Sequence, residues 1–218
     1  MIILGPDELV DTPLAWPVTS STLLAEGAIT RYVQDQVRMP DGNLITREYL
    51  EHPGAVGAIA LDDHDRVALV RQYRHPVRHR LIEPPAGLLD VGEDYLPAIQ
   101  RELAEEAGLA ARSWAVLVDL FTTPGILGES LRIYLARDLE AVDYPDGFTH
   151  QGEEAHMDVG WAFLDNLVDA VLDGRLHNPT LVSGVLAAWT AKRRDGFVSL
   201  RPANAAWPAH EAIRTSKS

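Results

Sequence analysis

Strand-like runs of apolar residues, separated by polar turn formers, recur through the first half of the chain. Residues 22–52, TLLAEGAITRYVQDQVRMPDGNLITREYLEH, hold two or three such runs, broken at residues 40–43 by PDGN, a hairpin turn. Residues 1–20 before them are rich in proline and turn formers and predict an irregular lead-in. The arrangement repeats in AVGAIALDDHDRVALVRQYRH, where an apolar strand, an Asp-rich turn at 62–65 and the strand VALVRQY follow one another. A short basic loop at 76–80 leads to RLIEPPAG, which reads as a further strand. A helix signal follows. Ile99, Leu103 and Ala107 recur at helical spacing, Asp94 stands where an N-cap would, Pro97 is tolerable in a first turn, and Gly108 takes the place of a C-terminal cap. Beyond that helix, WAVLVDLFTTPG and ESLRIYLARDL predict two strands around a Pro-Gly loop. An acidic, Gly-containing loop, DYPDGFTHQGEEAHMD, leads to the strand VGWAFL, to amphipathic helices near 164–176 and 180–194, and to a Pro/Ala-rich tail. Strands mixed with a few helices, without regular βαβ alternation, indicate an α+β fold or a mixed α/β sandwich.

Composition narrows the partners. The 218 residues are 46% hydrophobic, enough for one good-sized core, and 19 basic residues stand against 32 acidic ones for a formal charge of -13. Such a surface argues against nucleic acid or an anionic membrane as the main partner. An anionic small molecule stays in play, because clustered arginines or a metal override the global field locally. The absence of cysteine removes disulfides, thiolate metal sites and cysteine nucleophiles. The first residues lack a basic n-region, and no apolar run reaches the length of a membrane span, so the expectation is a soluble, cytoplasmic protein.

The helix carries an electrostatic oddity. Glu102, Glu105 and Glu106 lie three and four positions apart or adjacent, so their side chains share one side of the helix. Two carboxylates roughly 6 Å apart repel by about 3 kcal/mol at an effective dielectric near 20. Solvation would reduce that cost, and a bound cation would turn it into a use. Hydrolysis of a pyrophosphate needs such a cation, since hard divalent ions take oxygen ligands, neutralise phosphate and acidify water.

Around these glutamates the order is Gly87, five residues, Glu93, seven residues, Arg101-Glu102-Leu103, one residue, Glu105-Glu106, one residue, Gly108-Leu109. This resembles the Nudix box, G-x5-E-x7-R-E-U-x-E-E-x-G-U with U a bulky aliphatic residue, at every specified position. Fifteen residues after Leu109 stands Pro124, in FTTPGILGES, at the spacing that marks ADP-ribose pyrophosphatases within the Nudix hydrolases. The segments QVRMP, QYRH and PAGLLD are similar to those of the actinobacterial type.

The resemblance implies a Nudix α/β/α sandwich with a mixed sheet, preceded by a small N-terminal β region used for dimerisation. It divides the chain into 1–52 for that region, 53–205 for the Nudix hydrolase domain and 206–218 for a C-terminal tail. It implies Glu102, Glu106 and the backbone carbonyl of Ala86 as ligands of Mg²⁺, or of Mn²⁺ in its place, with Glu105 auxiliary. Arg101 and Glu93 would form a structural ion pair. Arg47 and Arg74 would hold the diphosphate or the terminal ribose, planar guanidinium groups being suited to phosphate oxygens. Glu129 matches the acidic residue that follows the proline, although Leu127 stands where related loops carry serine. Within HQGEEAHMD, Glu154 aligns with a catalytic glutamate on a mobile loop, Glu153 being the neighbouring alternative, and His156 reads as a bystander.

The implied activity is metal-dependent hydrolysis of ADP-ribose to AMP and ribose 5-phosphate by a homodimer, the partner being a small nucleoside diphosphate sugar. The same chemistry would serve another such sugar, for example GDP-mannose, or a dinucleotide. A sensing module that binds ADP-ribose without cleaving it is the remaining alternative. Against it stands the retention of Glu93, Glu102, Glu105 and Glu106.

Overall fold

The computed structural model describes residues 3–90, 92–143 and 157–215. In chain order the elements are a 3-10 turn at Pro6–Glu8, then β1 (Val18–Glu26), β2 (Arg31–Arg38), β3 (Leu44–Glu51), β4 (Ala55–Ala60), β5 (Arg66–Arg74), β6 (His79–Glu83) and β7 (Ala86–Leu88). They continue with α1 (Tyr95–Ala107), β8 (Leu109–Phe121), β9 (Ser130–Ala141), β10 (Asp158–Phe163), α2 (Leu164–Leu172), α3 (Pro179–Asp195), β11 (Arg201–Pro202) and α4 (Pro208–Thr215). They fall into two compact units. One comprises Met1–His52, Thr123–Gly128 and Ala206–Ser218, the other Pro53–Thr122 and Glu129–Ala205.

The first unit is an antiparallel sheet in the order β1-β2-β3. The PDGN turn joins β2 to β3, and Asp41 fixes it by accepting from the backbone N–H and the side-chain amide of Asn43. Both bonds hold the Asp41 carboxyl below its ordinary range. The Pro-Gly segment also belongs here: Leu50 donates to the Ile126 carbonyl at 2.9 Å and accepts from Gly128 at 2.9 Å. The first strand begins at Val18, inside the stretch expected to be irregular, because Val18 and the residues that follow it pair with β2. The tail differs too, since Pro208–Thr215 is helical.

The second unit is built on a five-stranded sheet in the order β11-β8-β9-β4-β7. It is mixed: β4 runs parallel to β9, while β7 on β4, β8 on β9 and β11 on β8 are antiparallel. A second sheet, β10-β5-β6, is antiparallel throughout. Period-two alternation sends the two faces of the large sheet to different cores. Val56, Ala58 and Ala60 of β4, with Tyr134 and Ala136 of β9, pack on Ile99 and Leu103 of α1. Ile59 of β4, with Ile133 and Leu135 of β9, packs on Leu181 and Val185 of α3 and Leu167 of α2. The sheet therefore lies between helices, an α/β/α sandwich.

Some boundaries depart from the sequence expectation, each for a local reason. RLIEPPAG is not one strand: Pro84 and Pro85 cannot donate to a ladder, and the chain leaves one sheet at Glu83 to enter the other at Ala86. Asp94 occupies the N-cap position of α1 in an extended conformation, but its side chain makes no capping hydrogen bond. The helix expected over 164–176 stops at Leu172. Gly108 ends α1 as expected, at φ 61°, a left-handed conformation that costs glycine little, and β8 starts at once.

Beneath α1 lies a buried charge network. Arg132, only 3% exposed, forks onto Asp119 at 2.7 and 3.0 Å and donates to the Ala205 carbonyl at 2.7 Å. Arg201 of β11 reaches the same Asp119 at 2.7 Å. The Arg132 guanidinium also lies 5.1 Å from the ring centre of Tyr95, the first residue of α1. Pairing of this kind is what makes a buried arginine tolerable, and here it ties the edge of the sheet to the start of the helix that carries the glutamates.

Candidate active site

A short strand and a helix meet where the box begins and ends. The strand β7 is held by β4, with Gly57 opposite Ala86 and Val56 opposite Gly87. Ala58 N–H reaches the Pro85 carbonyl at 2.9 Å, which fixes the chain just before the strand. The helix α1 is held by Ile99 and Leu103, both fully buried. With one face so committed, Glu102 and Glu106 project toward β7.

Their carboxylates meet its backbone. Glu106, 5% exposed, accepts from the Ala86 N–H at 2.8 Å. Glu102 lies against Gly87 so closely that a β-carbon there would fall 2.0 Å from its Oε1 and 2.1 Å from its Cδ. Glycine is thus required at this position by contact with a carboxylate. Any side chain would drive Glu102 out of its place.

The cluster is completed by Arg101. It donates to Glu93 at 3.3 and 3.0 Å, forming the expected ion pair, and one further nitrogen reaches Glu102 at 2.8 Å and Glu105 at 3.1 Å. One guanidinium therefore links three carboxylates, and this relieves the repulsion that their spacing creates. The hydrogen bond with Glu93 is the largest influence raising the Arg101 pKa further. The same bond holds the Glu93 carboxyl below its ordinary value, burial opposing and the Asp90 N–H assisting.

These groups suit a hard divalent cation. Two carboxylates and a backbone carbonyl on rigid elements are the donor set such an ion takes while sharing its remaining positions with water and phosphate. Among the described residues no group of three or more His, Cys, Asp or Glu is gathered as a closed metal cage. An ion of this kind does not require one, because Mg²⁺ is commonly held by one or two carboxylates together with substrate phosphates.

The other expected site residues are distributed as follows. Arg74, at the end of β5, forks onto Glu83 at 2.9 and 2.6 Å. Glu129 accepts a short hydrogen bond from the Thr122 hydroxyl. Arg47 belongs to the first unit, where it faces Asp35 across the β2–β3 ladder and donates to the Thr46 carbonyl at 2.9 Å. Pro124 is in the first unit as well. Glu153, Glu154 and His156 lie outside the described residues. Sequence reasoning passed over Glu83. Its signal was a lone acid inside the apolar run RLIEPPAG, a position that would be buried and so would need a partner.

The Nudix domain family matches residues 51–179, and the chain belongs to that family. It is similar to the ADP-ribose pyrophosphatase of Mycobacterium tuberculosis, with 46% identity over 189 residues, 86% of this chain and 89% of that one. The ADP-ribose pyrophosphatase of Bacillus subtilis is 32% identical over 126 residues, 58% of this chain and 68% of that protein. The methanol dehydrogenase activator of Bacillus methanolicus is 31% identical over 159 residues, 73% of this chain and 84% of that protein. Among solved structures, that of an ADP compounds hydrolase shares the fold, with a TM-score of 0.71 at 20% identity, covering 87% of this chain and all of that one.

The lowered pKa of Glu93 gives a pH prediction with a definite sign. A carboxyl whose folded pKa is depressed stabilises the fold above its unfolded pKa, and that stabilisation disappears as pH falls through the folded value. The stability difference between wild type and Glu93→Gln is expected to be greatest near neutral pH and to shrink below the ordinary glutamate value of 4.5. Urea unfolding from pH 7 downward checks this. A difference that stays constant with pH contradicts the ion pair's contribution.

Proposed function

We propose that this protein hydrolyses the pyrophosphate bond of ADP-ribose to AMP and ribose 5-phosphate in a reaction that requires a divalent metal. The observation that carries the choice of substrate is the 46% identity, across 86% of the chain, with an ADP-ribose pyrophosphatase. Pro124, at the subfamily spacing, supports the same choice.

In this reading Glu102, Glu106 and the Ala86 carbonyl hold Mg²⁺, or Mn²⁺ in its place. The chemistry supplied by the bound cation is charge neutralisation on the diphosphate oxygens and acidification of water. The chain's own groups do the rest. Glu106 is kept in position by the Ala86 N–H, and Glu102 by Gly87 and Arg101. Arg74 and Arg47 bind the diphosphate and terminal ribose, and Glu129 approaches the ribose. Glu154 takes the proton of the attacking water, with Glu153 the neighbouring alternative.

We further propose a homodimer formed through the N-terminal β region. Exposed apolar residues on β1 support this: Val18 is 51%, Leu23 45% and Leu24 44% exposed. A cytoplasmic location is the accompanying reading. Among the described residues no helix is long and apolar enough to cross a membrane.

A substrate panel tests the activity. ADP-ribose, GDP-mannose, a diadenosine polyphosphate and dGTP are incubated with purified protein, with Mg²⁺ and with EDTA. The expected result is release of AMP from ADP-ribose far ahead of the others, abolished by EDTA. Faster turnover of another diphosphate overturns the substrate, and binding of ADP-ribose without turnover overturns the activity. Light scattering on a sizing column tests assembly: a mass near twice the 24.0 kDa of one chain is expected, and a stable monomer contradicts the dimer.

A further inference from the structure

Arg74 and Glu83 form an asymmetric pair. The Glu83 side chain is 3% exposed while that of Arg74 is 40% exposed, so a buried acid holds an arginine that reaches solvent. The contact is a fork, with Nε on one carboxylate oxygen at 2.9 Å and Nη2 on the other at 2.6 Å. Two parallel bonds fix the plane of a guanidinium as well as its position. In the antiparallel β5–β6 ladder the direct partner of Arg74 is His79, whereas Glu83 lies opposite Val70. The arginine side chain therefore runs back along its own strand to reach the acid. The route is specific, because Arg74, Gln72 and Val70 share one face with Leu81 and Glu83.

Glu83 is also tied to the glutamate cluster. Only Pro84 and Pro85 separate it from Ala86. Prolines fix their φ angles, and the Pro85 carbonyl is bound by Ala58 N–H. Ala86 then gives its own N–H to Glu106. One constrained stretch of backbone thus connects the guanidinium of Arg74 to the carboxylates of α1. A pair needed only for stability gains little from being ionic, since apolar replacements of buried ion pairs are often neutral or stabilising. Retaining charge here makes sense if the exposed side of the arginine is used.

We infer that Glu83 is the positioning residue of Arg74, setting the orientation in which that arginine receives the diphosphate of the substrate. The inference rests on the proposed role of Arg74 in substrate binding. Glu83 itself does not touch substrate. It settles the orientation of Arg74 before substrate arrives, so that less conformational freedom is lost on binding.

Steady-state kinetics of the full chain, on whichever diphosphate the wild type turns over fastest, test this with Glu83→Gln, Arg74→Lys and the double variant. Glu83→Gln is expected to raise KM about 10-fold while kcat stays within about 2-fold, the pattern of lost uniform binding. Arg74→Lys, which keeps the charge and loses the fork, is expected to do the same. The double variant should be no worse than the poorer single one, because both changes remove a single device. Glu83→Asp, which withdraws the carboxylate by one methylene, carries the same expectation if Glu83→Gln does not fold. An unchanged KM in the Glu83 variants beside a raised KM in Arg74→Lys overturns the positioning role and leaves Arg74 as a substrate residue. Unchanged KM in both overturns the reading of Arg74 itself, and the inference with it. Multiplying effects in the double variant, or a kcat loss in step with a lowered unfolding temperature, mark Glu83 as structural and overturn the inference.

Discussion

The site depends on one close contact between backbone and carboxylate. Ala86 offers its N–H to Glu106 at 2.8 Å, and Gly87 leaves no room for anything but the carboxylate of Glu102. Two acids on consecutive turns of a helix would otherwise separate toward solvent. Here a strand three residues long gives both a fixed position, and it can do so only because β4 holds it on one side and α1 on the other. The rest of the second unit can be seen as what keeps these two elements in register. Its mixed sheet supplies β4, the core on one face fixes α1, and the core on the other face seats α2 and α3.

Charge is managed by the same economy of means. Arg101 joins Glu93, Glu102 and Glu105 through one guanidinium, so the acidic face of α1 is kept together without a closed cage of ligands. Arg132 and Asp119 form a second, buried pair whose arginine lies against Tyr95, where α1 begins. Arg74 and Glu83 form a third, at the end of the strand that leads into β7. In the second and third pairs at least one partner is almost withdrawn from water. In that setting an unpaired charge would be costly, and the geometry of the pair is correspondingly fixed.

Much of this was legible in the sequence. The fixed spacing from Gly87 to Leu109 identified the family and the sandwich, and the apolar residues Ile99 and Leu103 gave the buried face of α1. The PDGN turn and Gly108 marked boundaries that the structure retains, because glycine and turn residues act through local sterics alone. What was not legible depended on contacts distant in the chain. Val18 joins a strand because β2 is there to pair with it. The pairing of Arg74 with Glu83 follows from the strand register, and that of Asp119 with Arg132 and Arg201 from the order of strands in the sheet. The double proline was visible, yet its consequence, a change of sheet within RLIEPPAG, required knowing that two sheets existed.

In the proposed reaction Glu102 and Glu106 are held against β7 in order to bind a divalent cation. The most direct measurement is the affinity for Mn²⁺ without substrate, followed by the electron paramagnetic resonance of the free ion, in wild type and in Glu106→Gln. Circular dichroism on the same samples establishes that the variant is folded. Saturable binding by the wild-type protein is expected, with affinity weakened about 10-fold or more in the variant. Equal binding by two equally folded proteins would contradict it.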